Sequence, residues 1–408
     1  MADTFKATSV QLNHGQNTID NLITEPAQAT LFRNTFTRVP NNAHHVSITQ
    51  FTDKADFGRT ATCTLGTFGD LLSNILLYVR LPPLPIAAGS TYTGYVQSTG
   101  YALIKSLDFI IGGTTVARLD GRTMDALDYL SSGTSASSMM VGTYDTYRVL
   151  TENAYEPQDL YVPIPLWFTK KIANAFPLCL FTNYTVQIRV HFRDFQQIVH
   201  YDGPNEPTEM SIMDAGIVAE YILMTEKERE ALKAKKSHEF LIEQYTIENI
   251  RSITQGNLSV KCNLQLRNPI KELIWFLTEE ESEQNNDWFN YGLRDEHYEG
   301  NSLMTAASLY LDSALRYGRL PESYYRLVSP ARFHRHPNMK HNRNIYSISF
   351  SQSPESLQPS GYLNASRYDS IDLHVELISG CPASKMYTIA VGYNIMTLED
   401  GIVTMKGV

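Results

Sequence analysis

Cysteine is scarce in this chain, and the patterns that would give it chemistry are missing. Cys63, Cys179, Cys262 and Cys381 stand singly among 408 residues. There is no Cys-x-x-Cys pair and no His-Cys spacing suited to zinc, which speaks against a structural zinc site. Cys63 and Cys262 fall on the apolar faces of strand patterns, so buried free thiols are expected, in keeping with folding in a reducing compartment. Long apolar runs are also absent. None approaches the roughly 18–20 residues that span a bilayer, and Met1 to Lys6 lacks the basic-then-apolar pattern of a leader. Any membrane contact is therefore expected to be peripheral. Nor is there an excess of positive charge. Lys and Arg together number 34 against 43 Asp and Glu, a net charge of −9. A chain that coats nucleic acid needs cations against phosphates, so direct genome contact is not expected.

What the sequence does have is strand pattern. Hydrophobic residues make up 43% and aromatics 11%, with 24 tyrosines, a globular and strand-favouring composition. The length predicts two domains rather than one core. Residues 1–26 are polar and aperiodic, and read as an arm. From there alternation recurs: Ala61, Cys63 and Leu65; Val186, Ile188, Val190 and Phe192; Leu258, Val260, Cys262, Leu264 and Leu266; Ile389, Val391, Tyr393 and Ile395. Each set describes a half-buried antiparallel strand. Pro82, Pro83 and Pro85 end a strand, because proline cannot donate into a ladder. Gly112-Gly113 between apolar runs predicts a tight hairpin; it lacks the Lys-Ser/Thr sequel of a phosphate loop. Gly121–Ser131 reads as a short helix on the outside of a sheet. The polar stretch from Tyr201 to Asp214 reads as the break between domains, giving a first domain at 27–205, a linker at 206–216 and a second domain at 217–408. Thr225 and Glu228 form a capping box for a helix running to about Lys236, where Lys233, Lys235 and Lys236 complement the helix dipole. Thr278–Ser302 is acidic and polar, and is expected to be an exposed loop.

Between Ile345 and Leu377, two alternating strands flank Pro354-Glu355-Ser356-Leu357-Gln358-Pro359-Ser360-Gly361-Tyr362-Leu363-Asn364-Ala365-Ser366-Arg367. This stretch resembles a hallmark of the major capsid proteins of nucleocytoplasmic large DNA viruses, of the iridovirus and phycodnavirus type. Further blocks resemble that family in the same order: Gly69-Asp70-Leu71 before a strand ending Leu81-Pro82, Ala102-Leu103-Ile104-Lys105 before Gly112-Gly113, Leu160-Tyr161-Val162-Pro163, Ala175-Phe176-Pro177-Leu178, and His238 to Glu243. Where the family has a Tyr-Arg-Arg-like triplet, this chain has Phe36-Thr37-Arg38. The resemblance implies an all-β fold of two tandem eight-stranded antiparallel jelly rolls with short helices and long loops. It implies a structural protein that trimerises into pseudo-hexagonal capsomers tiling the icosahedral shell of a double-stranded DNA virus. Partners would be its own copies, neighbouring capsomers, minor capsid or cement proteins and a penton protein, with peripheral proximity to an inner membrane. The location would be the virion, after assembly in host cytoplasm or nucleus.

Candidates for chemistry are few. His334-Arg335-His336 with His341 is the one histidine cluster, but no Glu follows it and Lys340 would repel a cation, so a basic loop against an acidic neighbour or solvent is the simpler reading. His191 lies on a polar strand face without a nucleophile. Glu279, Glu280, Glu281 and Glu283 read as a solvated charge run. Asn183, Asn257 and Asn364 head glycosylation sequons, yet without a leader they are expected to stay unmodified by the secretory route. No enzymatic activity, metal or cofactor is expected. The residues expected to matter are those of a structural turn, Gln358, Pro359, Ser360, Gly361, Asn364, Ser366 and Arg367. There Pro359 and Gly361 fix the backbone path, and Arg367 is expected to be buried against backbone carbonyls or a carboxylate. A jelly-roll carbohydrate-binding protein and a metal-dependent jelly-roll enzyme are the alternatives.

Overall fold

The computed structural model describes residues 42–131, 135–144, 147–293, 301–335, 337, 343–399 and 402–407. The arm at 1–26, Phe36-Thr37-Arg38, His336 and His341 lie outside the described residues.

The first roll has two four-stranded sheets. One runs β1 (Ala43–Gln50), β10 (Asp214–Leu223), β3 (Leu71–Leu81), β7 (Gln158–Pro163). The other runs β2 (Thr60–Thr64), β8 (Val186–Phe192), β5 (Ile104–Ile111), β6 (Thr114–Leu119). The second roll repeats the order. Its larger sheet is β11 (Ser237–Ile247), β20 (Ser384–Glu399), β14 (Pro269–Glu279), β17 (Ile345–Ser349). Its smaller sheet is β13 (Ser259–Asn263), β19 (Ile371–Leu377), β15 (Met304–Leu311), β16 (Ala314–Pro321). Short strands complete the set: β4 (Thr93–Tyr95) with β9 (Val199–Tyr201), β12 (Arg251–Ile253) and β21 (Ile402–Met405) on β20, and β18 (Leu363–Asn364) on β14. The pairing is antiparallel throughout. The architecture is thus all-β, two tandem jelly rolls.

Local chemistry explains the turns and ends. Gly112 and Gly113 take φ of 56° and 86° between β5 and β6, which glycine alone adopts without strain. The helix Glu226–Lys233 carries the capping box from Thr225 and Glu228 and ends three residues before the expected Lys236.

Three expectations are corrected. The strand at 217–224 does not open the second roll. As β10 it pairs with β1 and β3 and closes the first, so the rolls are joined through the helix Glu226–Lys233. The polar run at 206–216 looked like a linker because the loop before β10 is largely exposed, with the same composition a linker would have. The helix Gly121–Ser131 exists, but Gly121 to Ala126 are all buried; it lies between the rolls, not outside them. The acidic stretch after Thr278 is also not an exposed loop: Glu279, Ser282, Phe289, Asn290 and Tyr291 are buried.

The reason for all this burial is the larger sheet of the second roll, whose two faces are both covered. Leu273, Trp275, Leu277, Tyr346 and Ile348 enter the core of the second roll. Their alternates Ile274, Phe276, Ile345, Tyr387 and Ile389 join the core of the first. At roughly 25 cal/mol per Å² of apolar surface, that shared core makes the two rolls one body.

Candidate functional site

The sequence-level candidates for chemistry disperse. All four cysteines are buried free thiols, and burial pushes Cys63 up to about 12 and Cys262 to about 11, so neither is a thiolate nucleophile at neutral pH. His191 Nδ1 lies 2.7 Å from Thr60 Oγ1 on the outer face of the β2-β8-β5-β6 sheet. Among the described residues, no group of three or more His, Cys, Asp or Glu side chains is placed to hold a metal ion.

His334 departs from the solvated reading and meets acidic neighbours. It is buried, its Nε2 2.7 Å from Glu272 Oε1 and its Nδ1 3.4 Å from Glu355 Oε1. Burial alone would lower the imidazole pKa, but Glu272 and then Glu355 outweigh that and raise it to about 9. It is an imidazolium at neutral pH, a structural cation rather than a base.

The predicted turn is ordered, with one correction. Gly361 has φ +139°, and a Cβ there would meet Phe350 O at 2.7 Å. Ser360 Oγ lies 2.6 Å from Ser351 Oγ and accepts from Ser353 N at 3.0 Å. Asn364 Oδ1 accepts from Ser366 N at 3.2 Å and from Ser366 Oγ at 2.7 Å. The following Leu363 and Asn364 pair with Ile270 and Pro269 of β14. Gln358 and Pro359 are exposed, and so is Arg367, which was expected to be buried. Within and beside this turn, Ser360, Ser356 and Asn364 side chains take up the amides of Ser353, Gln358 and Ser366 without a guanidinium.

The concentrated electrostatics lie elsewhere, in the seam between the rolls. Lys170, from the loop after β7, places Nζ 2.5 Å from Glu243 Oε2 on β11, and Lys271 Nζ on β14 holds Oε1. Glu243 and Lys271 are essentially inaccessible to solvent. Burial would raise the Glu243 carboxyl, but Lys170 and Lys271 hold it below the usual range. Burial also brings Lys271 down to about 8. A second cluster sits around the helix Gly121–Ser131. Arg122 pairs with Glu283 at 2.7 Å, and Glu283 accepts from Lys385 Nζ and Tyr387 Oη at 2.6 Å each. Burial would raise Glu283, yet Arg122 first and then Lys385 hold it at about 2. Asp125 accepts from Tyr291 Oη at 3.0 Å and from Arg343. Trp288 Nε1 donates to Gln197 O at 2.6 Å, and the Arg193 guanidinium lies 3.9 Å over its ring. Lys170, Arg122, Asp125, Arg193 and Gln197 belong to the first roll and reach partners in the second; Lys271, Lys385 and Tyr387 complete the sets from the second roll's own strands. Lone partners would be costly in such a place; complete networks give it one geometry.

Sequence reasoning missed this seam. A signal existed: Glu243 follows Leu241-Ile242, and Lys271-Glu272 precede Leu273-Ile274-Trp275-Phe276. Charges inside apolar strands are rarely buried without partners.

Two family models match in tandem. One described as the major capsid protein N-terminus matches residues 30–221, and one described as the large eukaryotic DNA virus major capsid protein matches residues 228–404. They meet at the link after β10. The major capsid protein of Phaeocystis pouchetii virus is 24% identical, covering 94% of this chain and 96% of that protein. That of Pyramimonas orientalis virus is 26% identical, covering 92% and 93%. Among solved structures, the subunit in a quasi-atomic model of the PBCV-1 virus capsid superposes with a TM-score of 0.77 at 18% identity, over 92% of this chain and 99% of that one. The Faustovirus major capsid protein gives 0.70 at 13% identity, over 95% and 96%. At those identities the solved structures speak to the fold.

Proposed function

The chain belongs to the major capsid protein family of large eukaryotic DNA viruses, and on that premise we propose that its copies close into a homotrimer, a capsomer of six rolls with a pseudo-hexagonal outline. It is a structural protein of the icosahedral capsid and resides in the virion shell. The observation that carries the trimer is the seam. It fuses two rolls into one rigid building block, with one large sheet covered and its counterpart left open. A block with unlike sides forms heterologous contacts, and such contacts make a closed ring only when the rotation closes; three copies of two rolls make six.

Capsomers tile against one another, and minor capsid or cement proteins and a penton protein take the remaining edges and vertices. The chain makes no direct nucleic-acid contact, as its net charge of −9 suits, and lies only peripherally to any inner membrane. It works without cofactor or catalytic step. The turn from Gln358 to Arg367 serves as backbone architecture through Ser360, Gly361, Asn364 and Ser366. Light scattering behind size exclusion tests the trimer: a mass of three times 46.1 kDa is expected, and a stable monomer at micromolar concentration would sink it.

A further inference from the structure

The strand β21 is paired on one side only. Its register sets Ile402 opposite Glu399, Val403 opposite Leu398, Thr404 opposite Thr397 and Met405 opposite Met396. One position further, Lys406 N donates to Ile395 O at 2.9 Å. Facing residues of an antiparallel ladder alternate between bonded and non-bonded pairs, so Ile402 and Thr404 are the residues whose backbone groups turn towards β20. The N–H and C=O groups of Val403 and Met405 point the other way, along a free edge. Among the described residues no strand takes that edge, and β21 pairs with β20 alone. Gly407, next in the same alternation, is served by a side chain: its N donates to Asn394 Oδ1 at 2.9 Å and its O accepts from Asn394 Nδ2 at 3.1 Å. Val403 and Met405 have no such substitute among the described residues.

An unpaired edge invites another strand, and proteins commonly guard such edges with charge, proline or a bulge. The edge strands β6, β13 and β16 follow that practice, with Arg118, Lys261, and Arg316 and Arg319. β21 does not. Ile402-Val403-Thr404-Met405 holds no charge and no proline, and its β-branched residues favour a pleated strand. The neighbouring Lys406 is engaged by Glu239. Nor is the strand loosely held: Val403 and Met405 pack against the core of the first roll. On its other face Ile402 is 62% exposed, and Ile395 beside it on β20 is 37% exposed. A fixed, neutral, unpaired edge with apolar side chains next to it fits extended backbone carrying apolar residues.

We infer that β21 is a docking strand: an extended, uncharged segment of a different polypeptide adds to its free edge, bonded to the backbone of Val403 and Met405, with an apolar side chain over Ile402. A second copy of this chain is the poorer occupant. Its edges β6, β13 and β16 are cationic, and its own β21 could pair with this one only about a two-fold axis, which closure of a trimer does not provide. The inference rests on the capsid reading above and supplies the surface by which one of the minor proteins named there holds on.

Hydrogen exchange read residue by residue, on the isolated protein and on intact virions, tests it. In the isolated protein the Thr404 amide, bonded to β20, is expected to be protected, and those of Val403 and Met405 to exchange freely. In virions both of these are expected to slow by roughly tenfold or more. Photoreactive benzoylphenylalanine in place of Ile402 is expected to cross-link in virions to a polypeptide other than this chain. Adding Val403→Pro, which removes only an outward-facing donor, is expected to leave the mass and melting temperature of the isolated protein unchanged and to abolish that adduct. Free exchange at Val403 and Met405 in virions would overturn the docking edge and leave the capsid reading standing. Slow exchange already in the isolated protein would mean that the edge is covered from within, and an adduct with a second copy of this chain would overturn the choice of partner. Absence of the chain from virions would remove the capsid reading itself.

Discussion

The sheets β1-β10-β3-β7 and β11-β20-β14-β17 have the same strand order and the same bulge, yet their outer faces have opposite fates. On β14 and β17 almost every residue is buried, whereas β1 is mostly exposed and β3 alternates. The sequences differ accordingly. β14 does not alternate; Leu273-Ile274-Trp275-Phe276-Leu277 is a continuous apolar run, as expected of a strand covered on both sides. The comparison teaches that burial of the second face admits charge only in finished sets. Where β11 carries the paired Glu243, the corresponding residue of β1 is the exposed His44.

The sharpest way to break that comparison is to leave the charges unfinished. Glu243→Ala strands Lys170 and Lys271 in the seam, and should cost on the order of 3–5 kcal/mol. His44→Ala, at the matching place on the open sheet, should stay within about 0.5 kcal/mol. Urea midpoints of the two variants measure the difference. Equal losses would mean that the seam cluster contributes nothing particular.

How much of this was legible follows the same division. Strands with one wet face announced themselves by alternation, as Val186 to Phe192 did, and so did the Gly112-Gly113 hairpin and the Thr225–Glu228 cap. The seam did not. Its residues reach across from separate rolls, so Lys170 and Glu243 are neighbours only after folding, and the run from Glu279 to Glu283 resembles a solvated loop until Arg122 and Lys385 arrive. The ownership of β10 was hidden for a related reason. A long polar loop within a roll and a linker between rolls have one composition, and only pairing with β1 and β3 separates them.

A smaller effect tests the buried histidine at the edge of the covered sheet. His334 has its pKa raised to about 9 from 6.5, so its contribution is fully present below about 6.5 and is lost as pH rises through 9. At roughly 1.4 kcal/mol per pH unit, that is about 3 kcal/mol. Lys271, brought down to about 8 by burial, works in the opposite direction over the alkaline range. The readout is therefore the difference between wild type and His334→Asn in unfolding free energy from pH 6 to pH 10. The gap should be widest at pH 6 and close towards pH 10; a gap independent of pH would show that His334 is not held as a cation.

The smallest effects separate backbone from side chain within the turn that leads β18 onto the covered sheet. Gly361 sits at φ +139° with Phe350 O where a Cβ would go. A branched residue cannot hold that conformation without strain, so Gly361→Val should cost about 1–3 kcal/mol in the unfolding transition at fixed protein concentration. Arg367 lies six residues on and is exposed, and its removal strands no buried acceptor, so Arg367→Ala should change the same transition by no more than about 0.5 kcal/mol. The two substitutions thus part company: one strains the path that delivers Leu363 and Asn364 to Ile270 and Pro269, the other touches only an exposed side chain. If Arg367→Ala destabilised the protein as much as Gly361→Val does, the guanidinium would be an internal anchor after all.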